Sequence, residues 1–416
     1  MAELHENIIT PERALLVSLD TGEPDAEASL LELRELARTA GAEVVGVTVQ
    51  KRPAPDAGTC VGEGKLEEIR AFCEANDIDL VIFDRELSPI QQRNIELETK
   101  VRTIDRTTLI LDIFAARARS REGALQVELA QLKYSLPRLA GQGTALSRLG
   151  GGIGTRGPGE TKLETDKRHI RRRIDALREQ LRELQAQRDR IRARRKKDGV
   201  ITVAIVGYTN AGKSTLMNTL TQAGVLAEDK LFATLDPTAR ALRLPHGQTV
   251  MLIDTVGLVR RLPHHLVEAF KSTLEEAAQA DVILNVCDAS SDEAATHLQV
   301  TQNLLAELGI GDRPVIPVMN KCDRLSDAAP IIAIGDTVRI SAKRGDGLET
   351  LLLAIENKLP KWTRMELLLP FDKGGLLAAV RSQGQLLSEE YTAEGIEAVA
   401  LVSDPALVAA LRKYCR

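Results

Sequence analysis

Aromatic residues make up only 3% of this chain, with a single tryptophan, which leaves little material for a single-stranded RNA platform built on base stacking. Its five cysteines, Cys60, Cys73, Cys287, Cys322 and Cys415, are odd in number and lack the paired spacing of a metal knuckle. They read as reduced thiols, mostly in cores. No apolar run approaches the roughly 18 residues of a membrane span, and residues 1–10 lack the apolar centre of a secretion signal, so the cytoplasm is the expected location. The net charge is −4 over 416 residues. That balance speaks against a uniformly basic nucleic-acid binder. What remains is a globular chain, 44% hydrophobic, long enough for two or three domains.

The average charge conceals a strong segregation. Residues 167–197 hold fourteen Lys and Arg against four acids, Asp175, Glu179, Glu183 and Asp189, so this segment is +10 and the remainder −14. A basic element on an acidic body is the electrostatic footprint of a phosphate-backbone contact. Arginines on outer helical faces are usually solvated and paired with acids at i,i+4, but four acids leave most of these bases without a partner of that sort.

A second informative segment is Gly207-Tyr208-Thr209-Asn210-Ala211-Gly212-Lys213-Ser214. It follows the apolar run 201–206 and opens a helical pattern, which is the context a phosphate loop requires, and Thr215 after it is counted among the expected nucleotide contacts. Glycines let the backbone wrap the phosphates, so that amides and a helix N-terminus face the negative charge. Lys213 is expected to reach the β- and γ-phosphates, and Ser214 to give its hydroxyl to Mg²⁺, a hard ion that prefers oxygen ligands. Gly62-Glu63-Gly64-Lys65 offers part of such a loop, without the spacing or the hydroxyl-bearing successor; it reads as a helix start.

Two more signals follow apolar runs in chain order, at the carboxyl ends of strands where open α/β sheets bind ligands. After 249–253 comes Asp254-Thr255-Val256-Gly257, where Asp254 can hold Mg²⁺ through water and the Gly257 amide can meet a γ-phosphate. After 314–319 comes Asn320-Lys321-Cys322-Asp323. Guanine presents N1–H and an amino group on one edge, and the Asp323 carboxylate can accept both; adenine would leave it unpaired. Ser341-Ala342-Lys343, after 337–340, completes the base site through a backbone amide near the guanine O6.

In these motifs the chain resembles the translation-factor-like P-loop GTPases, and over its whole length it resembles the HflX family of ribosome-associated GTPases. The resemblance implies a partner-stimulated GTPase that takes GTP to GDP and phosphate with Mg²⁺. It makes Phe232-Ala233-Thr234-Leu235-Asp236 the first switch, with Thr234 completing the Mg²⁺ shell and joining Lys213 and Gly257 as a catalytic residue; Thr238 is the neighbouring competitor. It also implies binding to the large ribosomal subunit and its RNA through residues 167–197 and the loop 141–159, and splitting or rescue of stalled ribosomes under stress. Off the ribosome the chain is expected to be monomeric. Leu258 stands where Ras-like GTPases carry the glutamine that positions water. By itself it reads either as a core residue beside a turn or as the mark of a GTPase whose turnover waits for a partner, and the resemblance favours the second.

The organisation expected from periodicity is an N-terminal α/β unit at 1–106, a helical hairpin at 107–198 with a glycine-rich tip, a P-loop GTPase domain at 199–361 with a mostly parallel sheet covered by helices on both faces, and a small α+β unit at 362–416. In the N-terminal unit, strands are expected at 13–19, 43–49 and 80–84, and helices at 29–39, 65–76 and 88–100. The hairpin pairs one long helix over 107–139, carrying Leu125, Leu129, Leu132 and Leu136, with a second that carries Ile170, Ile174, Leu177, Leu181, Leu184 and Ile191. Eight glycines among the nineteen residues 141–159 break the chain between them, and Thr161-Lys162-Leu163-Glu164 reads as the second helix's capping box. Three functions remain open on sequence: a GTP-driven ribosome factor, an RNA- or ribosome-binding module that nucleotide merely stabilises, and an ATP-dependent RNA remodeller, for which no second phosphate loop is found.

Overall fold

The computed structural model describes residues 11–23, 25–141, 158–197, 200–221, 231–232, 238–260, 277–307, 309, 313–325, 337–359, 363–402 and 404–415. Among the described residues three sheets are formed, and in chain order a long helical pair follows the first and precedes the second.

The first sheet is four-stranded and parallel, in the order β2 (Glu43–Lys51), β1 (Arg13–Asp20), β3 (Leu80–Phe83), β4 (Arg102–Asp105). Helices α1 (Ala26–Thr39), α2 (Glu63–Ala75) and α3 (Pro89–Thr99) make the crossovers. β1 and β3 are buried on both faces, which is why they read as continuous apolar runs with no alternation. β4 escaped the periodicity because only four residues long, Arg-Thr-Ile-Asp, it carries one apolar side chain. Gly62 to Lys65 does open a helix, α2, whose N-cap is Gly62.

The expected helix over 107–139 is two helices, α4 (Arg106–Arg117) and α5 (Arg121–Ser135). Ser120 separates them: its side chain accepts from the Gly123 amide, an N-cap that starts a new helix in a new direction. α6 runs from Pro158 to Lys197, so it begins before the supposed capping box; proline suits the first helical turn because its missing N–H has no partner there. α5 and α6 are antiparallel, with Glu122 paired to Arg188 at 2.7 Å and Glu128 to Arg173 at 2.6 Å. Only Ile174 and Leu177 of the α6 stripe are fully buried, and Ile191 is exposed. Of the glycine-rich segment, residues 142–157 lie outside the described residues.

The second sheet has six strands in the order β10 (Val338–Arg339), β9 (Val315–Asn320), β8 (Val282–Asp288), β5 (Thr202–Gly207), β7 (Thr249–Asp254), β6 (Thr238–Arg243). All neighbours are parallel except β6 against β7. Helices α7 (Lys213–Thr221), α8 (Ala294–Glu307) and α9 (Leu348–Lys358) belong to this layer. This is the mixed, mostly parallel sheet of a P-loop GTPase. The third sheet is antiparallel, β11 (Thr363–Leu369), β13 (Gly395–Val402), β12 (Gly384–Thr392), packed with α10 (Gly374–Gln383) and α11 (Pro405–Leu411) around Leu369, Val380, Ala400 and Leu411. β12 was not anticipated, since its polar stretch Ser388-Glu389-Glu390 masks the alternation.

One core crosses from the first layer to the second. Ile110, Leu111, Ile113 and Phe114 of α4 share a buried cluster with Tyr208, Leu231, Phe232, Val256, Leu258 and Val259. Phe114 meets Phe232 edge to face with centroids 4.5 Å apart, a geometry that adds roughly 0.5–1.5 kcal/mol beyond area burial.

Candidate nucleotide-binding site

Parallel strands β7, β5 and, across β8, β9 end on one edge of the sheet, and the three motifs emerge from those ends. β5 runs into Gly207, the phosphate-loop motif continues through Gly212, and α7 starts at Lys213. Asn210 sits in the left-handed region at φ 59°, which asparagine tolerates better than most residues. Gly212, at φ +88°, is required twice: any Cβ there would also lie 2.3 Å from Asn320 Nδ2.

Lys213 is 6% exposed, and its Nζ donates to the carbonyls of Tyr208 at 2.8 Å and Gly207 at 3.1 Å. Burial pushes its pKa down to about 8, against the attraction of Asp254, and Lys321 adds to the lowering. A lysine held so is an ammonium short of counter-charge, ready to gain from an anion. Ser214 Oγ donates to Asp254 Oδ2 at 2.8 Å, and Asp254 is buried at 1% exposure. Hydroxyl and carboxylate together form an all-oxygen set, which suits Mg²⁺ and no soft metal. Thr215 follows on the same first turn of α7.

Thr255 is fully buried and its hydroxyl donates to the Ile205 carbonyl at 2.7 Å, tying the second motif to β5. Val256 enters the interlayer core. Gly257 packs against the phosphate loop so closely that a Cβ would lie 2.6 Å from Thr209 Cγ2 and 3.1 Å from Lys213 Nζ. Next to it the Leu258 amide donates to Gly207 O at 3.1 Å, and Leu258 O accepts from the Thr209 amide at 2.7 Å. Leu258 is 5% exposed in the core shared with α4. Its burial there is what the core reading expects, and it is equally compatible with turnover that waits for a partner.

At the other end, Asn320 is 2% exposed and fully used: Nδ2 donates to Ala211 O at 2.8 Å, and Oδ1 accepts from the Ala342 amide at 2.9 Å. It braces the phosphate loop against the loop 341–343. Lys321, at φ 61°, pairs with Asp288 at 2.7 Å and reaches Asn210 Oδ1 at 3.5 Å. Cys322 packs beside Met319 and donates its thiol to Met319 O at 3.3 Å. The Ser341 hydroxyl donates to Asp323 Oδ1 at 2.7 Å, and this bond holds the Asp323 carboxyl below the usual carboxylate range. Ala342 is buried and Lys343 exposed.

The structure thus brings Tyr208 to Ser214, Asp254 to Gly257, Asn320 to Asp323 and Ser341 to Lys343 around one group of strand ends. Phe232 is described, buried against Phe114; Ala233, Thr234, Leu235 and Asp236 lie outside the described residues. The competitor Thr238 sits on β6 opposite Asp254, its hydroxyl 3.5 Å from Met217 sulfur. Sequence reasoning missed Asp288, which holds Lys321, and it missed the side-chain service of Ser341 to Asp323. Asp288 stands outside the motifs, and Ser341 was read for a backbone amide and not for its hydroxyl. It missed above all that a carboxylate of the first layer, Glu32, reaches the Tyr208 hydroxyl.

Among the described residues no group of three or more His, Cys, Asp or Glu could hold a metal, and no helix is long and apolar enough to cross a membrane. Three family models match in succession: "GTP-binding GTPase N-terminal" over residues 27–115, "GTP-binding GTPase Middle Region" over 117–195 and "50S ribosome-binding GTPase" over 202–321. The chain is 52% identical to the GTPase HflX of Caldanaerobacter subterraneus subsp. tengcongensis, over 94% of this chain and 91% of that protein. It is 51% identical to the GTPase HflX of Lacrimispora saccharolytica, over 95% of each. To the GTPase HflX of Escherichia coli it is 45% identical, over 84% of this chain and 83% of that one. With its strand-end motifs in order and relatives this similar across nearly the full length, the chain is a GTP-hydrolysing enzyme and belongs to the HflX family of GTPases.

Proposed function

We propose that this GTPase is a switch that acts on the large ribosomal subunit. Lys213 and the phosphate-loop amides of 208–215 receive the β- and γ-phosphates, and Asp323 reads the guanine edge while Ser341 holds it in place. Ser214, with Asp254 through water, would hold Mg²⁺, and Thr234 would complete its shell in the triphosphate state; the ion supplies charge neutralisation between the phosphates. Gly257 takes the γ-phosphate through its amide. The observation that carries the reading is the Asn320 brace, which fixes the phosphate loop and the base loop to one side chain and so sets the pocket's two ends for one ligand.

The ribosome half of the proposal rests on charge and on the match to the 50S ribosome-binding GTPase model. Helix α6 exposes Arg168, Arg171, Arg172, Arg190 and Arg194 along one long rod. With the glycine-rich loop beyond its N-terminus, this rod would meet ribosomal RNA, and GTP-gated contact would serve to split or rescue stalled ribosomes in the cytoplasm of stressed cells, the protein acting as a monomer. The test is GTP turnover with and without purified large subunits, for wild type and Lys213→Ala. Strong stimulation of wild type alone supports a driven switch; tight GTP binding without stimulation would make the protein a static ribosome-binding module instead.

A further inference from the structure

Glu32 belongs to α1 in the first layer, yet its side chain, about one-tenth exposed, ends among residues of the GTPase layer. Oε2 accepts from the Tyr208 hydroxyl, in the phosphate loop. Oε1 accepts from the Arg260 backbone amide at 3.1 Å, three residues beyond Gly257. Arg106, itself 3% exposed at the start of α4, donates to the same Oε1 and is anchored by Asp84 Oδ1 at 2.7 Å. The surroundings lock both partners. Tyr208 stacks on His297 of α8 with centroids 3.9 Å apart and planes 12° from parallel, and the Arg260 guanidinium spans Glu293 at 2.6 Å and Asp25 at 3.6 Å.

Burying a carboxylate is costly, and burial holds the Glu32 pKa above its ordinary value in spite of Arg106. Apolar packing around Leu258 and Phe114 would suffice to join the layers. A charged group in this place instead makes directed bonds to two segments that a GTPase moves relative to each other.

We propose that Glu32 is a positioning residue of the GTPase site, a clasp from the N-terminal layer that holds the phosphate loop and the segment after Gly257 in the arrangement seen here. Leu258 is bonded to Gly207 and Thr209, and Arg260 is bonded to Glu32, so the segment is pinned one and three residues beyond Gly257. A γ-phosphate that takes the Gly257 amide pulls against this clasp; a diphosphate does not. The N-terminal layer is thereby set against triphosphate by the worth of about one hydrogen bond.

The inference rests on the GTP site described above, and the test separates the two. The full-length protein and its Glu32→Gln, Tyr208→Phe and doubly substituted forms are titrated with GDP and with a non-hydrolysable GTP analogue, and Lys213→Ala serves as control. The expected result is an analogue-to-GDP affinity ratio raised about threefold to tenfold in each single variant, which is one net hydrogen bond converted to affinity. The double variant should go no further than the larger single one. Equal weakening of both nucleotides, as a merely structural contact would give, or an unchanged or lowered ratio, overturns the clasp while leaving the site intact. If Glu32→Gln folds poorly, Tyr208→Phe reads the same bond by losing only a hydroxyl. Wild type and Lys213→Ala binding both nucleotides alike would overturn the site assignment itself.

Discussion

The two ends of the proposed nucleotide site are built by different means. At the base end every bond stays within the GTPase layer: Asn320 to Ala211 and Ala342, Ser341 to Asp323, Lys321 to Asp288. At the phosphate end the backing comes from elsewhere, since Leu258 and Phe232 are buried against α4, and Tyr208 and Arg260 are bonded to Glu32 of α1. Choosing guanine requires geometry that does not move, which one domain can supply by itself. Reporting the γ-phosphate requires a segment that another part of the molecule can feel. The contrast explains a buried leucine at 258: it spends its side chain on the junction between layers, where a water-positioning glutamine would face an apolar core.

The largest effect should come from reversing the pattern at the base. Asp323→Asn replaces an acceptor with an amide donor facing guanine N1–H, and GTP should bind about a hundredfold or more weaker while xanthine nucleotides gain. Competition between the two nucleotides measures it. An unchanged preference for GTP would move the base site elsewhere and remove the contrast. Next is the brace. Asn320→Ala leaves the Ala211 carbonyl and the Ala342 amide buried without their partner, at about 1–3 kcal/mol each. GTP and GDP should weaken together, by roughly tenfold to a hundredfold, because the loss lies in shared geometry. If the triphosphate alone suffered, the base end would be part of the switch after all.

Leu258→Gln tests the phosphate end. Its amide would enter the core beside Ile110 and Phe114 without an assigned partner, so unfolding should come at lower denaturant by about 1–3 kcal/mol, and turnover should stay slow. Turnover matching that of wild type stimulated by ribosomes would show that position 258 is limited by chemistry and not by packing.

How much of this was legible in sequence follows the same division. The base end was readable because its side chains lie in short runs, Asn320 to Asp323 and Ser341 to Lys343, set directly after the apolar runs that form β9 and β10. The phosphate loop was readable for the same reason. The junction was not: Glu32 and Tyr208 stand 176 positions apart, and Glu32 sits in an ordinary amphipathic helix with nothing in its neighbours to mark it. Local capping also hid from a periodicity count, for the leucines that carried it, Leu125 to Leu136, all lie beyond Ser120, where the Ser120–Gly123 bond divides the expected helix. Periodicity reports which face is buried, not which layer buries it.

The smallest effect concerns protons. Lys213 is buried with a pKa near 8, against an ordinary value of 10.5. The unfolded chain therefore holds its proton across the window from about 8 to 10.5 while the folded, nucleotide-free protein has lost it, so the strain of burying this ammonium is present below pH 8 and is relieved as pH rises through that window. Phosphates placed on Lys213 favour its charged form and raise the pKa again. Lys213 should then contribute an uptake of about half a proton to binding at pH 8, and almost none at pH 6.5. Calorimetry of GDP binding in buffers of different ionisation enthalpy reads the number directly. Lys213→Ala, where binding persists, should abolish the pH 8 uptake, whereas Asp323→Asn should leave it in place. Uptake that vanished with the base-end variant and survived the phosphate-end one would assign the titrating group to the wrong end of the pocket.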